Sequence, residues 1–217
     1  YTFNRVLREQ YLRGVVPQET PSSWGIMGGG TGMQALRAQA IAARTYLEAI
    51  SRRRQAKGDM TDTCDTIGCQ VYLGASANGQ PLDYGPDFWT TTAAVTDTAG
   101  MIRVSHDGSI PLAEFGSSSG GWTAPQSELS AFPAVVDDGD DVAANPHHVW
   151  EKTIRRADVE SMYPEIGQLK EIKVTLRNGL GEWGGRTRQL LFRGTSANTT
   201  VDISNWAEDS FRRGMSL

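Results

Sequence analysis

The chain has 217 residues, with 21 basic against 25 acidic side chains and a net charge of −4. Both signs are mixed along its length, so it lacks the electrostatic footprint of a nucleic-acid or anionic-membrane binder. A hydrophobic share of 39% and a charged share of 21% exclude the disordered and fibrous classes, and no window approaches the ~18 apolar residues that cross a bilayer.

One domain over residues 1–217 is the expectation, long enough to bury a core without metal or disulfide support. No initiating Met opens the chain, so a trimmed segment is expected, with any export signal or anchor left outside it. From Asn4 to Val16, the apolar positions Val6, Leu7, Tyr11, Leu12 and Val15 recur at helical spacing. They predict a short amphipathic helix capped by Asn4 and stopped near Gly14 to Pro17.

Residues 21–32, PSSWGIMGGGTG, read as a loop ending on Thr31 as a cap. From Met33 to Gln55 a run rich in Ala, Leu, Arg and Gln puts Leu36, Ala40, Ala43, Leu47 and Ile50 on one face. That predicts a long buried helix, and Arg52, Arg53, Arg54 and Lys57 suit the negative end of its macrodipole. Met101 to Val104 and Ile110 to Phe115 predict a hairpin around Asp107-Gly108. Strands are expected at Glu171 to Leu176, Arg188 to Phe192 and Thr199 to Ile203, and a last short helix from Ser204. Helices first and antiparallel strands later give an α+β fold: a long Ala-rich helix packed on mostly antiparallel β-structure, with a cleft between them.

Glu19 sits in VVPQETP, where a proline on either side restricts the backbone carrying its carboxylate. Gln39 and Arg44 are polar positions amid Ala and Leu on the long helix. Cys64 and Cys69 flank a turn-like stretch, and metal ligation, a small disulfide loop and buried thiols all fit that spacing. Two thiolates fall short of the four ligands of a structural zinc site, and no His precedes His106.

Gly116 to Gly120 matches G-x-S-x-G, but GGWTAPQ follows and cannot open the helix that a nucleophile elbow requires, so serine hydrolysis is disfavoured. The expected role is a tight polar loop whose glycines admit close approach to its backbone. Asp137, Asp138, Asp140 and Asp141, followed by His147 and His148, match no calcium loop and read as a solvated acidic loop.

Taken in order, YLRGVVPQETPSSW, LRAQAIAARTYL, CDTIGCQVYLG, AVTDTAG, AEFGSSSGGWT and FRRGMSL resemble the SpoIID/LytB family of bacterial sporulation and cell-wall proteins, from residue 11 to the C-terminus. The resemblance implies an exported, extracellular or cell-envelope protein. It would act on peptidoglycan glycan strands, as a lytic transglycosylase or as a binding module that enhances a cell-wall amidase. It maps the catalytic glutamate onto Glu19, and glycan contacts onto Gln39, Arg44, Ser118, Ser119, Gly120 and Gly121. Zinc-binding members read Thr-His-Cys where this chain has Ile67-Gly68-Cys69. With that His absent, the expectation is no metal cofactor and a Cys64–Cys69 disulfide.

A lytic transglycosylase manages with one carboxyl group, because the attacking C6 hydroxyl is tethered to the substrate. The carboxylic acid form must meet the substrate, which predicts an acidic optimum.

Overall fold

The structure is a computed structural model that describes residues 3–65, 68–72, 74, 76–77, 80–81, 89–123, 132–181, 184–203 and 210–215. The fold is α+β. Its described residues divide into two compact units, one through Gly116 and one from Ser117 onward.

The first unit is helical. Helix α1 spans Arg8–Glu19, α2 spans Met33–Ala56 and α3 spans Trp89–Asp97, with a 3-10 segment at Ser22–Gly30 between the first two. Their core joins Leu12, Val15 and Val16 of α1 to Ala40, Ala43 and Leu47 of α2 and Val95 of α3, with Tyr11 and Tyr72 beside them. Alanines at the crossing let the helices approach closely, which is why α2 reads as alanine-rich on its buried face. A minimal pair, β1 (Ser76–Ala77) and β2 (Gln80–Pro81), completes the unit.

Four expectations are corrected in this unit. Helix α1 begins at Arg8 rather than beside Asn4, and its flanking residue Leu7 is extended and offers no side-chain cap. It continues through Pro17 to Glu19, where Thr20 N–H donates to Val16 O at 3.0 Å. Proline removes only the bond to the carbonyl of Arg13, a residue that faces water, and the fully buried Val15 and Val16 hold the last turn in place. Residues 22–30 form 3-10 turns with Gly28, Gly29 and Gly30 at positive φ, and Gly32, not Thr31, flanks α2. The Thr31 hydroxyl donates back to Gly28 O at 3.0 Å instead.

The hairpin is reduced to its turn: Ser105 N–H donates to Ser109 O at 2.8 Å around Gly108, but residues 101–105 and 110–116 form no ladder. Their backbone is claimed by α2, since Met101 O accepts from Arg44 at 3.0 Å and Arg103 N–H donates to Thr45 Oγ1 at 2.9 Å.

The second unit carries α4 (Arg156–Met162), a 3-10 turn at Pro164–Ile166, strands β3 (Leu169–Arg177), β4 (Thr187–Gly194) and β5 (Asn198–Asp202), and α5 (Ser210–Met215). The three strands fall where the alternation of β-branched residues places them and form an antiparallel sheet in the order β3-β4-β5. Its core gathers Val159, Ile166, Leu190, Phe192, Ile203, Phe211 and Met215. Phe192 lies 4.9 Å from the Tyr163 ring and 5.2 Å from that of Phe211. The expected helix start at Ser204 lies outside the described residues.

Candidate functional site

Glu19 closes α1 rather than occupying a free loop, and it is half-buried. Its Oε1 accepts the Val71 N–H at 2.9 Å, across a separation of 52 residues. Among the described residues Oε2 accepts no hydrogen bond. Trp24, in the 3-10 segment that follows, is exposed.

Val71 is held by what precedes it. Cys64 and Cys69 are joined as a disulfide, and Cys64 N–H donates to Cys69 Sγ at 3.3 Å. Next comes Gln70, fully buried: its Oε1 accepts from the Tyr11 hydroxyl at 3.3 Å and its Nε2 donates to Ala43 O at 3.1 Å. Gln70 thus ties the segment to α1 and α2 together. Burial chiefly pushes the Tyr11 phenol up to about 12, helped by Tyr46, Glu19 and Tyr72 and opposed by Thr63. Tyr11 is therefore a neutral hydrogen-bond donor at any working pH.

Gln39 is half-buried on α2, and its Nε2 is shielded from water with no hydrogen-bond partner among the described residues. Arg44 departs from the sequence expectation of a glycan contact. Its side chain is 0% exposed, and it grips Glu9 in a two-pronged pair, Nε to Oε1 at 2.9 Å and Nη2 to Oε2 at 2.8 Å. Further bonds run to Val95 O (3.2 Å), Met101 O (3.0 Å) and Thr98 Oγ1 (3.4 Å), so the guanidinium serves the carbonyl end of α3 and ties three helices together. No donor is left to face a ligand. The Arg44 hydrogen bond, opposed by burial, holds the Glu9 carboxyl below its ordinary range.

Ser118, Ser119, Gly120 and Gly121 belong to the second unit and turn around one carboxylate, that of Asp140, which is only 6% exposed. Asp140 accepts from Ser118 Oγ (2.8 Å), Ser119 N–H (2.8 Å), Gly121 N–H (3.2 Å) and Asn145 Nδ2 (3.2 Å), and His148 Nδ1 lies 2.6 Å from it. Ser119 Oγ donates to Asp137 at 2.8 Å, and Gly120 N–H donates to Ser118 Oγ at 3.3 Å. Asp140 approaches this backbone, but a side chain at Gly120 or Gly121 would meet nothing within 4 Å, so these glycines serve the turn through their positive φ and not by making room. The solvated acidic loop is thereby corrected: Asp138 and Asp141 are exposed, while Asp140 is the buried hub. Burial would raise its carboxyl, but the bonds from His148, Ser118 and Ser119 outweigh it and hold the group well below the carboxylate range. His148 is raised in turn, first by its bond to Asp140. The sequence signal for this hub was a charged run beside a His pair, but nothing in the spacing marks which aspartate turns inward.

The zinc that the family resemblance implies does not fit this chain. Both sulfurs that would bind it as thiolates are joined to each other, Gly68 stands at the position of the missing His, and Ile67 lies outside the described residues. Among the described residues no three His, Cys, Asp or Glu side chains gather into a set for a metal ion. A cavity of about 640 Å³ opens in the same unit between residues 3–8, α2 and the start of the disulfide loop, and Glu19 is not among its lining residues. No helix among the described residues is long and apolar enough to cross a membrane.

A helical unit whose first helix ends on a half-buried glutamate, braced by a disulfide-closed loop, followed by a unit built on an antiparallel sheet, defines an α+β protein with a carboxylate site. Residues 1–104 match the family model of SpoIID, stage II sporulation protein. The amidase enhancer of Bacillus subtilis (strain 168) is 32% identical over 152 residues, which is 69% of this chain and 18% of that relative. The chain thus spans less than a fifth of the length of that curated relative. No solved structure gives a significant match.

Proposed function

We propose that the protein is a lytic transglycosylase of the cell envelope that cleaves the MurNAc–GlcNAc glycan strand of peptidoglycan, with Glu19 as its one acid and base. The SpoIID match over the residues that carry Glu19, together with the amidase-enhancer relative, supports a cell-wall role. The observation that carries the catalytic reading is the asymmetric state of the carboxyl: one oxygen is held by a backbone N–H and the other is left for a substrate.

In the acid form Oε1 is the carbonyl oxygen that accepts from Val71, and Oε2–H gives its proton to the glycosidic oxygen as the C1–O bond breaks. The resulting carboxylate then takes the proton of the sugar's C6 hydroxyl, whose oxygen bonds to C1. This leaves a 1,6-anhydroMurNAc end and restores the acid. No water enters, and the tethered nucleophile replaces the second carboxylate that hydrolytic glycosidases use. An exported location agrees with both the substrate and the disulfide.

The test is digestion of purified sacculi, intact and stripped of stem peptides, by the native chain and by Glu19→Gln, with products read by mass spectrometry. Anhydro-ended fragments are expected from the native chain alone. The relative's name favours a second reading, a glycan-binding module that cuts nothing and recruits or stimulates a cell-wall amidase. That reading predicts equal retention of both proteins on sacculi, no fragments from either, and faster peptide release when amidase is added.

A further inference from the structure

We propose that the Cys64–Cys69 loop is a positioning clamp for Glu19, acting through the Val71 N–H and locked by Gln70. The inference rests on the catalytic reading above and names what makes the single carboxyl competent.

The clamp has three links. The disulfide closes the chain from residue 64 to residue 69, so the two residues that follow leave a constrained ring rather than a free loop. Gln70, 1% exposed, is fastened at both ends of its amide, to the Tyr11 hydroxyl on α1 and to Ala43 O on α2. Tyr11 is itself fixed by its ring, 4.8 Å from that of Tyr72 on the other side of Val71. Between these anchors the Val71 N–H can point only where the fastened backbone directs it, which is Glu19 Oε1 at 2.9 Å.

The chemical consequence is a choice between two oxygens. A carboxyl group free to rotate shares its proton between both and presents the acid to substrate only part of the time. An N–H fixed on Oε1 makes that oxygen the acceptor in both protonation states and leaves Oε2 to carry the proton. The Tyr11 phenol senses the charge of this carboxyl and is kept neutral chiefly by burial. The Val71 N–H is therefore the donor whose loss would free the carboxyl to turn.

The test compares the native chain with the double variant Cys64→Ser/Cys69→Ser and with Val71→Pro, which keeps the disulfide but deletes the N–H. Val71→Ala, which keeps both, is the control. One readout is kcat and KM for release of anhydro ends from peptide-stripped sacculi. The other is the carbon NMR signal of the Glu19 side-chain carboxyl at one fixed pH, assigned by its disappearance in Glu19→Gln. We expect kcat to fall roughly ten- to a hundredfold in the double variant and in Val71→Pro, with KM within about twofold. The carboxyl signal should shift in both variants, because Oε1 has lost its donor.

Val71→Ala should behave as native in both readouts. If the double variant does not hold its helical circular dichroism, Val71→Pro alone decides. Native kcat and a native carboxyl signal in a folded variant would overturn the clamp. If the native chain releases no anhydro ends, the catalytic reading fails on its own, and the carboxyl signal still shows whether the clamp exists.

Discussion

Arg44 gives the sharpest test of the distinction between a residue that builds the helical unit and one that meets a ligand. Replacing it with Met keeps much of the apolar stem and removes every donor. The Val95 carbonyl then loses its partner in a buried region, at about 1–3 kcal/mol, and the Met101 carbonyl in a part-buried one, at about 0.5–1.5 kcal/mol. Glu9 loses a two-pronged pair, but its side chain is 35% exposed, so solvent screens that interaction and its loss adds only about 0.5–1 kcal/mol. The sum is about 2–5.5 kcal/mol, which spans the range for removing one partner of a buried pair. For a unit of this size that corresponds to a fall of roughly 8–25 °C in Tm.

Glu9→Gln should cost only about 1 kcal/mol, since the neutral amide still offers one acceptor and Arg44 keeps its carbonyls. Urea unfolding followed at 222 nm reads both variants, because most helical residues belong to this unit. Retention on sacculi, measured where the variants remain folded, should be native. An Arg44→Met protein that loses less than about 1 kcal/mol while losing its grip on glycan would refute the structural assignment.

The pair of Glu9 with Arg44 also sets an acid limit. A carboxyl depressed on folding contributes stability above its unfolded value of 4.5 and loses it as pH falls, so the helical unit of the native chain should weaken more below that pH than that of Glu9→Gln, in which the depressed Asp62 carboxyl remains. In the second unit the Asp140 contribution is lost as pH falls below 3.8, whereas that of His148 is present below 6.5 and lost as pH rises through its raised value. Amide-exchange protection of Ser119 and Gly121 should therefore peak between those limits, and His148→Gln should abolish the alkaline fall; an unchanged alkaline limb would remove His148 from the hub. Gly25→Ala should cost about 1–3 kcal/mol in thermal melts, because the new Cβ would lie 2.5 Å from Thr90 Cβ and 3.0 Å from Leu36 Cδ1. Intact mass after thiol alkylation should rise by two alkyl groups only if the protein is first reduced, and labelling without reductant would exclude the Cys64–Cys69 bond.

What the sequence shows and what it hides follow from how local each signal is. Helix α2 is legible because propensity and apolar period agree over 24 residues. Strands β3 to β5 are legible because β-branched alternation survives even on β3, where Ile172, Val174 and Leu176 remain exposed. Helix α3 escaped detection: Thr90, Thr91 and Thr92 argue locally for extended chain, and only packing of Thr90, Thr91, Ala94 and Val95 against the other helices makes them helical. The hairpin at 101–115 failed for the converse reason, a correct turn signal overruled when Arg44 and Thr45 took the backbone groups that a ladder needs. Long-range partners are hidden altogether. No spacing rule pairs Arg44 with Glu9 at 35 residues, or Asp140 with Ser118 at 22.

The standing of the candidate site divides where the family match ends. Glu19, Gln39, Cys64 and Cys69 lie inside residues 1–104, and Ser118 to Gly121 lie beyond them. The loop beyond them already spends its donors on Asp137 and Asp140, so a glycan contact there would have to use other atoms. Within the matched residues a one-carboxyl mechanism places two demands on the same group: it must hold a proton at a defined oxygen, and it must accept one back at that oxygen. Hydrolytic glycosidases divide these demands between two carboxylates. On the proposed mechanism the Val71 N–H, which comes from a segment 52 residues from Glu19, would meet both by occupying Oε1. A variant that keeps Glu19 and moves Val71 should therefore fail in kcat as Glu19→Gln does, although to a lesser degree, while both keep their hold on the wall. A protein that only binds glycan would show no such kinship between the two positions.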